Sequence, residues 1–380
     1  MSEHNEELAL FRDMVVRFLD KEVTPKYEAW EKNHLIDRDF WMVMAEAGLL
    51  IVDMPEQYGG AGASFAVCMM IQEEMNHRGF HGLSTAYGIH TNIVGPYINN
   101  LGTEQQKQQW LPKMASGEVI GALAMTEPGA GSDLAGMRTS ATRDGDEFVI
   151  NGSKTFITNG MQAGLVVLAA KTDAAAGAKG ISLFLVDTSL PGFATGKQIE
   201  KIGQHCSDTA ELFFDNLRVP ASALLGEEGR GFFHMMEELP RERLGCAVQA
   251  VGHAQGALDL TAAYVQERKA FGQQVSQFQN TRFKLAECKT ELEMSRALLE
   301  KHTLKFARGE MTGEDAALIK LATTEMQLRM VNECLQLFGG YGYTDEYPIS
   351  RFYRDARVQT IYGGSSEIMK EVIARNLLGR

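Results

Sequence analysis

The chain lacks several features, and each absence narrows what it can be. No run approaches the ~18 apolar residues of a membrane-spanning helix, although 44% of the residues are hydrophobic. Basic charge is in deficit: 37 Lys and Arg stand against 49 Asp and Glu, a formal charge of −12. That argues against nucleic acid as a partner, since such binders carry a basic surface, while a local basic pocket for an anionic ligand stays open. Cysteines are few and scattered: Cys68, Cys206, Cys246, Cys288 and Cys334 are odd in number and contain no C-x-x-C pair. They read as free thiols in a reducing compartment, not as a disulfide framework or zinc site. His77 and His81 have i, i+4 spacing, but Gly79 lies between them and no third ligand is evident, so no metal site is expected. The opening stretch MSEHNEELALFRDMV is acidic and has neither the basic start nor the apolar core of a secretory signal. A cytoplasmic location is therefore expected.

What is present reads as an ordinary soluble globular protein of 380 residues, long enough for two or three domains. Three textures follow one another. Residues 1–118 read as helical: Leu8, Phe11, Val15, Phe18 and Leu19 recur at helical spacing, and Thr103-x-x-Gln106 is a capping box opening a helix to about Trp110. Residues 119–230 switch to short β-rich runs, GLVVLAA, ISLFLVD and AELFFDNLRVP. The pairs Asn151-Gly152 and Asn159-Gly160 predict hairpin turns there. Residues 231–380 return to helices, expected over about 241–269, 279–308, 313–338 and 365–378. Thr312-x-x-Asp315 starts the third of these and Gly339-Gly340 ends it. The fold class is mostly α with an inserted β domain.

The chemistry lies in five separated motifs. AMTEPGAGSDLAG (124–136) combines Pro128 with Gly129, Gly131 and Gly136 and has no apolar periodicity. It must be a loop, in which N–H groups and short hydroxyls can approach a ligand. Its glycine spacing is not G-x-G-x-x-G, which disfavours a dinucleotide-binding Rossmann turn. KTFITNG (154–160) reads alone as a strand, and ERKAFGQQVSQFQ (267–279) reads alone as an interhelical corner. QLFGGYGYTDEYP (336–348) is followed by RDARVQTIYGGSSEI (354–368), where Gly363-Gly364 turns into Ser365 at a helix N-terminus, a place that favours anions.

In this order and at these separations, the motifs resemble the acyl-CoA dehydrogenase family over the whole chain. ELPRERL (238–244) and the IYGG turn are most similar to its long-chain members. The resemblance implies an N-terminal helical domain, a middle β-barrel-like domain and a C-terminal four-helix bundle, with FAD between the last two. It implies that Met125, Thr126 and Ser132 line the flavin, that Phe156, Ile157 and Thr158 border it, and that Ser132 also meets substrate. Arg268, Phe271 and Gln279, with Gln336, Gly339 and Gly340, would meet the FAD of a neighbouring subunit. Ser365 and Glu367 would hold cofactor at the last helix. A homotetramer built as a dimer of dimers, and electron-transfer flavoprotein as acceptor, are further implications.

The family reaction needs a carboxylate to remove the proton α to the thioester. Many members carry it directly after the tyrosine of the IY motif, but that position is Gly363. Either the chain is no dehydrogenase or the base comes from elsewhere. Long-chain and isovaleryl-type members place it before an arginine at the start of a C-terminal helix, which here is Glu242 before Arg243. Pro240 suits a helix start or a kink, so Glu242 is expected near a helix N-terminus. There the helix and Arg243 would favour the anion, and burial would oppose it. Gly363 would offer its N–H to the thioester carbonyl, Tyr362 would wall the pocket, and Arg243 would face substrate or support the site. A glutamate at position 363 could then restore some activity from the other side. The competing functions are an oxygen-using acyl-CoA oxidase, a flavin monooxygenase, and a non-catalytic acyl-CoA or flavin binder.

Overall fold

A computed structural model describes residues 3–379. Met1, Ser2 and Arg380 lie outside the described residues, and the acidic N-terminal stretch is described from Glu3 onward. The first part is helical: α1 (Glu3–Phe18), α2 (Tyr27–Asn33), α3 (Phe40–Glu46), α4 (Phe65–His77), α5 (His81–Gly88), α6 (Gly95–Leu101) and α7 (Glu104–Ala115). The Thr103 capping box is formed in both directions, and its helix continues past Trp110 to Ala115.

The middle part is an eight-stranded sheet: β1 (Ile120–Ala124), β2 (Ser140–Asp144), β3 (Glu147–Thr158), β4 (Ala163–Lys171), β5 (Ile181–Asp187), β6 (Phe193–Gln198), β7 (Thr209–Pro220) and β8 (Leu224–Leu225). Its order is β6-β7-β3-β2-β4-β5-β8, with β1 parallel to β4. Strands β4 and β5 are each buried at six successive positions. Covered on both faces, they read as continuous apolar runs instead of alternating ones.

Two expected hairpin turns are corrected. Asn151-Gly152 lies inside β3, where the register with β7 shifts and Gly152 takes a φ of 150°. It is a bulge, the other frequent use of a glycine in a strand. The hairpin joining β2 to β3 turns at Gly145-Asp146, between the paired Asp144 and Glu147. Asn159, at φ 64°, does turn the chain out of β3, but β4 pairs with β1, β2 and β5, not with β3.

The last part holds α8 (Gly231–Glu267), a short ribbon of β9 (Lys269–Ala270) and β10 (Gln273–Gln274), α9 (Gln279–Ala307), α10 (Gly313–Phe338), α11 (Pro348–Ala356) and α12 (Ser366–Leu378). Thr312 caps α10 with a complete capping box, and Ser365 caps α12 through the Ile368 amide. One apolar cluster unites Met125 of the glycine-rich loop and Met137 just after it, Val94, Tyr97 and Ile98 at α6, and Met235 of α8. Loop and helix are thereby packed into one body around the site. Among the described residues, no helix is long and apolar enough to cross a membrane, and no group of His, Cys, Asp or Glu has metal-binding size.

Candidate active site

Glu242 lies well inside α8, not at its start, because the helix begins at Gly231 and runs through Pro240. A proline inside a helix forfeits one backbone hydrogen bond, and the packed faces of this 37-residue helix outweigh that loss. The expected help from a helix N-terminus is therefore absent. Burial dominates, and with the charge of Glu238 it pushes the Glu242 carboxyl up to about 7, against a hydrogen bond from Tyr97 and the charge of Arg243. The Tyr97 hydroxyl donates to Oε1 at 3.1 Å. One turn earlier, Asn100 Nδ2 donates to Glu238 at 2.8 Å.

Arg243 points away from its neighbour. Its Nε donates to the Gly363 carbonyl at 3.3 Å, and the buried Lys320 of α10 donates to the Gly364 carbonyl at 2.6 Å. Gly363 and Gly364 take φ values of 64° and 99°, which glycine adopts without steric cost. Tyr362 donates its hydroxyl to Gln249 at 3.2 Å. The Tyr362–Gly364 turn is thus fixed from behind by α8 and α10.

The glycine-rich loop is anchored to β3. The Thr155 amide donates to the Thr126 carbonyl at 2.9 Å. Lys154 Nζ reaches the Met125 carbonyl at 3.0 Å and Glu127 Oε1 at 2.9 Å. Glu127 also accepts from the Arg138 and Thr139 amides. Burial acts to raise the Glu127 carboxyl, but these bonds hold it below the ordinary value, while burial pushes Lys154 down to about 8. The register of β3 slips again between Lys154 and Ile157, and there Phe156 adopts a φ of 59° with its ring 65% exposed. A phenylalanine in the left-handed region is a strained outlier of the kind that marks binding sites. Ile157 turns into the sheet core, Thr158 is half-buried, and Ser132 is exposed on the loop.

A cavity of about 570 Å³ gathers Arg268, Gln336, Gly339 and Gly340, together with Tyr264, Tyr341 and Thr344. Phe271, three residues after Arg268, is 97% exposed at φ 50°, and Gln279 is exposed at the first position of α9. Ser365 heads α12, and Glu367 points to solvent, its carboxyl held below the usual value by its own amide and by Ser365. Sequence reasoning missed four residues: Tyr97, Lys320, Lys154 and Glu127. The last two carried a signal, opposite charges inside two motifs already singled out. Tyr97 lies 145 positions from Glu242 and carried none.

Family models for the acyl-CoA dehydrogenase N-terminal, middle and C-terminal domains match residues 5–118, 122–217 and 229–378. The long-chain specific acyl-CoA dehydrogenase of Rattus norvegicus is 44% identical over 379 residues, 99% of this chain and 87% of that protein. The crystal structure of an acyl-CoA dehydrogenase from Geobacillus kaustophilus superposes with a TM-score of 0.95 at 46% identity, covering 99% of this chain and 98% of that one. A glutaryl-CoA dehydrogenase from Mycobacterium smegmatis, solved in complex with FADH2, gives 0.92 at 32% identity, covering 100% and 96%. The chain belongs to the acyl-CoA dehydrogenase family, a family of FAD-dependent oxidoreductases acting on acyl-CoA thioesters.

The residues present fit that cofactor. A Cβ added to Gly129, Gly131, Gly339 or Gly340 would meet nothing within 4 Å, so these backbones border open space. Arg268 has no acidic partner among the described residues and faces the cavity. Phe156 and Phe271 leave large apolar rings uncovered, as a planar ligand would require.

Proposed function

We propose that this enzyme removes the α proton and β hydride of an acyl-CoA thioester to give the trans-2-enoyl-CoA, with Glu242 as the base. The carrying observation is the half-buried Glu242, poised near neutrality on α8 with Gly363, not a second carboxylate, in the adjacent turn. A base titrating near the working pH combines a useful anionic fraction with proton affinity. When bound, FAD supplies the acceptor for the hydride leaving the β carbon. The Gly363 N–H, held by the Arg243 and Lys320 contacts on the carbonyls of its turn, donates to the thioester carbonyl. There it stabilises charge developing on oxygen, an effect worth a few kcal/mol per donor, roughly. Tyr362 walls the pocket, and Arg243 supports the turn. Met125, Thr126, Ser132, Phe156, Ile157 and Thr158 form the flavin-facing side. Ser132, exposed on the loop, meets substrate as well.

Arg268, Phe271, Gln279, Gln336, Gly339 and Gly340 suit the pyrophosphate and adenine end of a neighbour's cofactor, since guanidinium pairs well with phosphate oxygens. Ser365 and Glu367 complete the site at α12. This reading makes the enzyme a homotetramer, supported by the uncovered Phe271 and by Phe283, Met294 and Leu304 exposed along α9. Electron-transfer flavoprotein is the expected acceptor, a fatty or branched acyl chain the expected substrate, and the cytoplasm the expected compartment. All five cysteines are free, and an acyl-CoA dehydrogenase of Bacillus subtilis is 38% identical over 98% of both chains.

Glu242→Gln tests the base. The variant should keep its yellow cofactor, and anaerobic flavin bleaching by acyl-CoA should slow by orders of magnitude. Bleaching at the wild-type rate would refute the assignment.

A further inference from the structure

The reading of Glu242 as base leaves open what keeps a carboxylate ionised in a site that disfavours charge. We infer that Tyr97 is a positioning residue for the base: its hydroxyl donates to Glu242, fixing one carboxylate oxygen and favouring the anion. The inference rests on the proposed role of Glu242.

Tyr97 is fully buried and packed among Val94, Ile98 and Met235, so its ring cannot swing away without breaking that cluster. Its hydroxyl lies 3.1 Å from Glu242 Oε1. Burial first, and then the charges of Glu242 and Glu238, push its own ionisation well up, so it remains the protonated donor.

The other charged and titratable groups around Glu242 are committed elsewhere. On α8, Glu238 accepts from Asn100, Arg243 donates to the Gly363 carbonyl, and Arg241 pairs with Asp53 at 2.6 Å. Cys246, one turn on, is a neutral thiol that burial pushes up to about 11. From α10, Lys320 holds the Gly364 carbonyl, and in the C-terminal turn Tyr362 donates to Gln249. Among the described residues Tyr97 is therefore the side chain that hydrogen-bonds Glu242. The arrangement is a two-rung ladder between α6 and α8. Tyr97 and Asn100, three apart, grip Glu242 and Glu238, four apart. The lower rung holds a second carboxylate close to the base, and its negative charge makes a donor on the upper rung more necessary.

The test uses the FAD-loaded enzyme and Tyr97→Phe. Losing a donor to the anion should move the acid limb of the bleaching rate up by about one pH unit. The variant should then be roughly tenfold slower at pH 6 and near the wild-type rate at pH 9. A purely structural loss would be the same at both pH values. The carboxyl itself is read separately by infrared titration with 13C-glutamate, following the band that disappears in Glu242→Gln. That band should protonate at higher pH in Tyr97→Phe. Difluorotyrosine at position 97, a more acidic donor, should move both readouts the other way. Adding Tyr97→Phe to Glu242→Gln should slow bleaching no further. An unmoved acid limb and band, a pH-independent loss, or an additive double variant would each overturn the role of Tyr97. A Glu242→Gln enzyme that still bleaches would overturn the base itself, and that result is distinct from all of these.

Discussion

The sulfur of Cys246 crowds the space that a side chain at Gly363 would need: a Cβ built there lies 3.2 Å from it, so the thiol would have to give way by a few tenths of an ångström. Gly363 also holds a φ of 64°, where a residue with a Cβ is strained by about 1 kcal/mol or more. Moving the base to the position used by many relatives is thus opposed twice. Gly363→Glu in the Glu242→Gln background should stay inactive in anaerobic bleaching, against the rescue that the sequence alone leaves open. Restored bleaching would mean that the turn re-forms around the new side chain.

Two cations grip consecutive carbonyls behind that turn, and the Lys320 contact with Gly364 is the shorter at 2.6 Å. Lys320 is fully buried on α10, so water cannot take its place. Lys320→Met keeps the length of the side chain and leaves the carbonyl unpaired, a loss of about 1–3 kcal/mol. If the turn presents the N–H that binds the thioester, the affinity for enoyl-CoA should fall roughly tenfold or more. Titrating the flavin spectrum with enoyl-CoA measures this. Unchanged affinity would place the thioester carbonyl elsewhere.

The sequence made the order of helices and strands legible because periodicity and caps are local: Thr103, Thr312 and Ser365 all cap as their spacing predicts. It misplaced what depends on distant packing. Pro240 suggested a helix boundary, yet α8 passes through it because its faces are buried by α4 and α10. Asn151-Gly152 suggested a turn, yet β7 pairs across it and makes it a bulge. In the candidate site, Glu242 and the motif residues are legible as candidates because motifs are contiguous in sequence. Tyr97 and Lys320 could not, since each meets its partner only once separate helices pack together.

The ion pair of Lys154 and Glu127, 2.9 Å apart with both side chains buried, joins the glycine-rich loop to the bulged strand. Removing one partner leaves the other charge buried and unpaired, which costs about 3–5 kcal/mol. Glu127→Gln should lower the urea midpoint sharply and release flavin, and Glu127→Gln with Lys154→Met should recover part of the stability. The pH dependence has a definite sign. Glu127 is held below its ordinary value in the folded state, so its contribution is present above the unfolded value and is lost as pH falls through the folded one. The gap between wild type and variant should therefore narrow in acid. A gap equal at pH 7 and pH 3 would show that the carboxylate charge is not what holds the loop.

Arg268 is exposed and lines the 570 Å³ cavity with its guanidinium 5.3 Å from the Tyr341 ring centre. Removing an exposed charge should barely change folding, so Arg268→Met separates cofactor binding from stability. A charge-assisted bond to phosphate contributes about 1.5–3 kcal/mol, and its loss should weaken FAD retention by tenfold or more. The ratio of flavin to protein absorbance after dilution and gel filtration reads this, with sedimentation reporting whether subunits stay together. Because the cavity is assigned to a neighbour's cofactor, flavin loss should grow steeper as dilution separates subunits. Full flavin retention in Arg268→Met at low protein concentration would remove the pyrophosphate from this cavity.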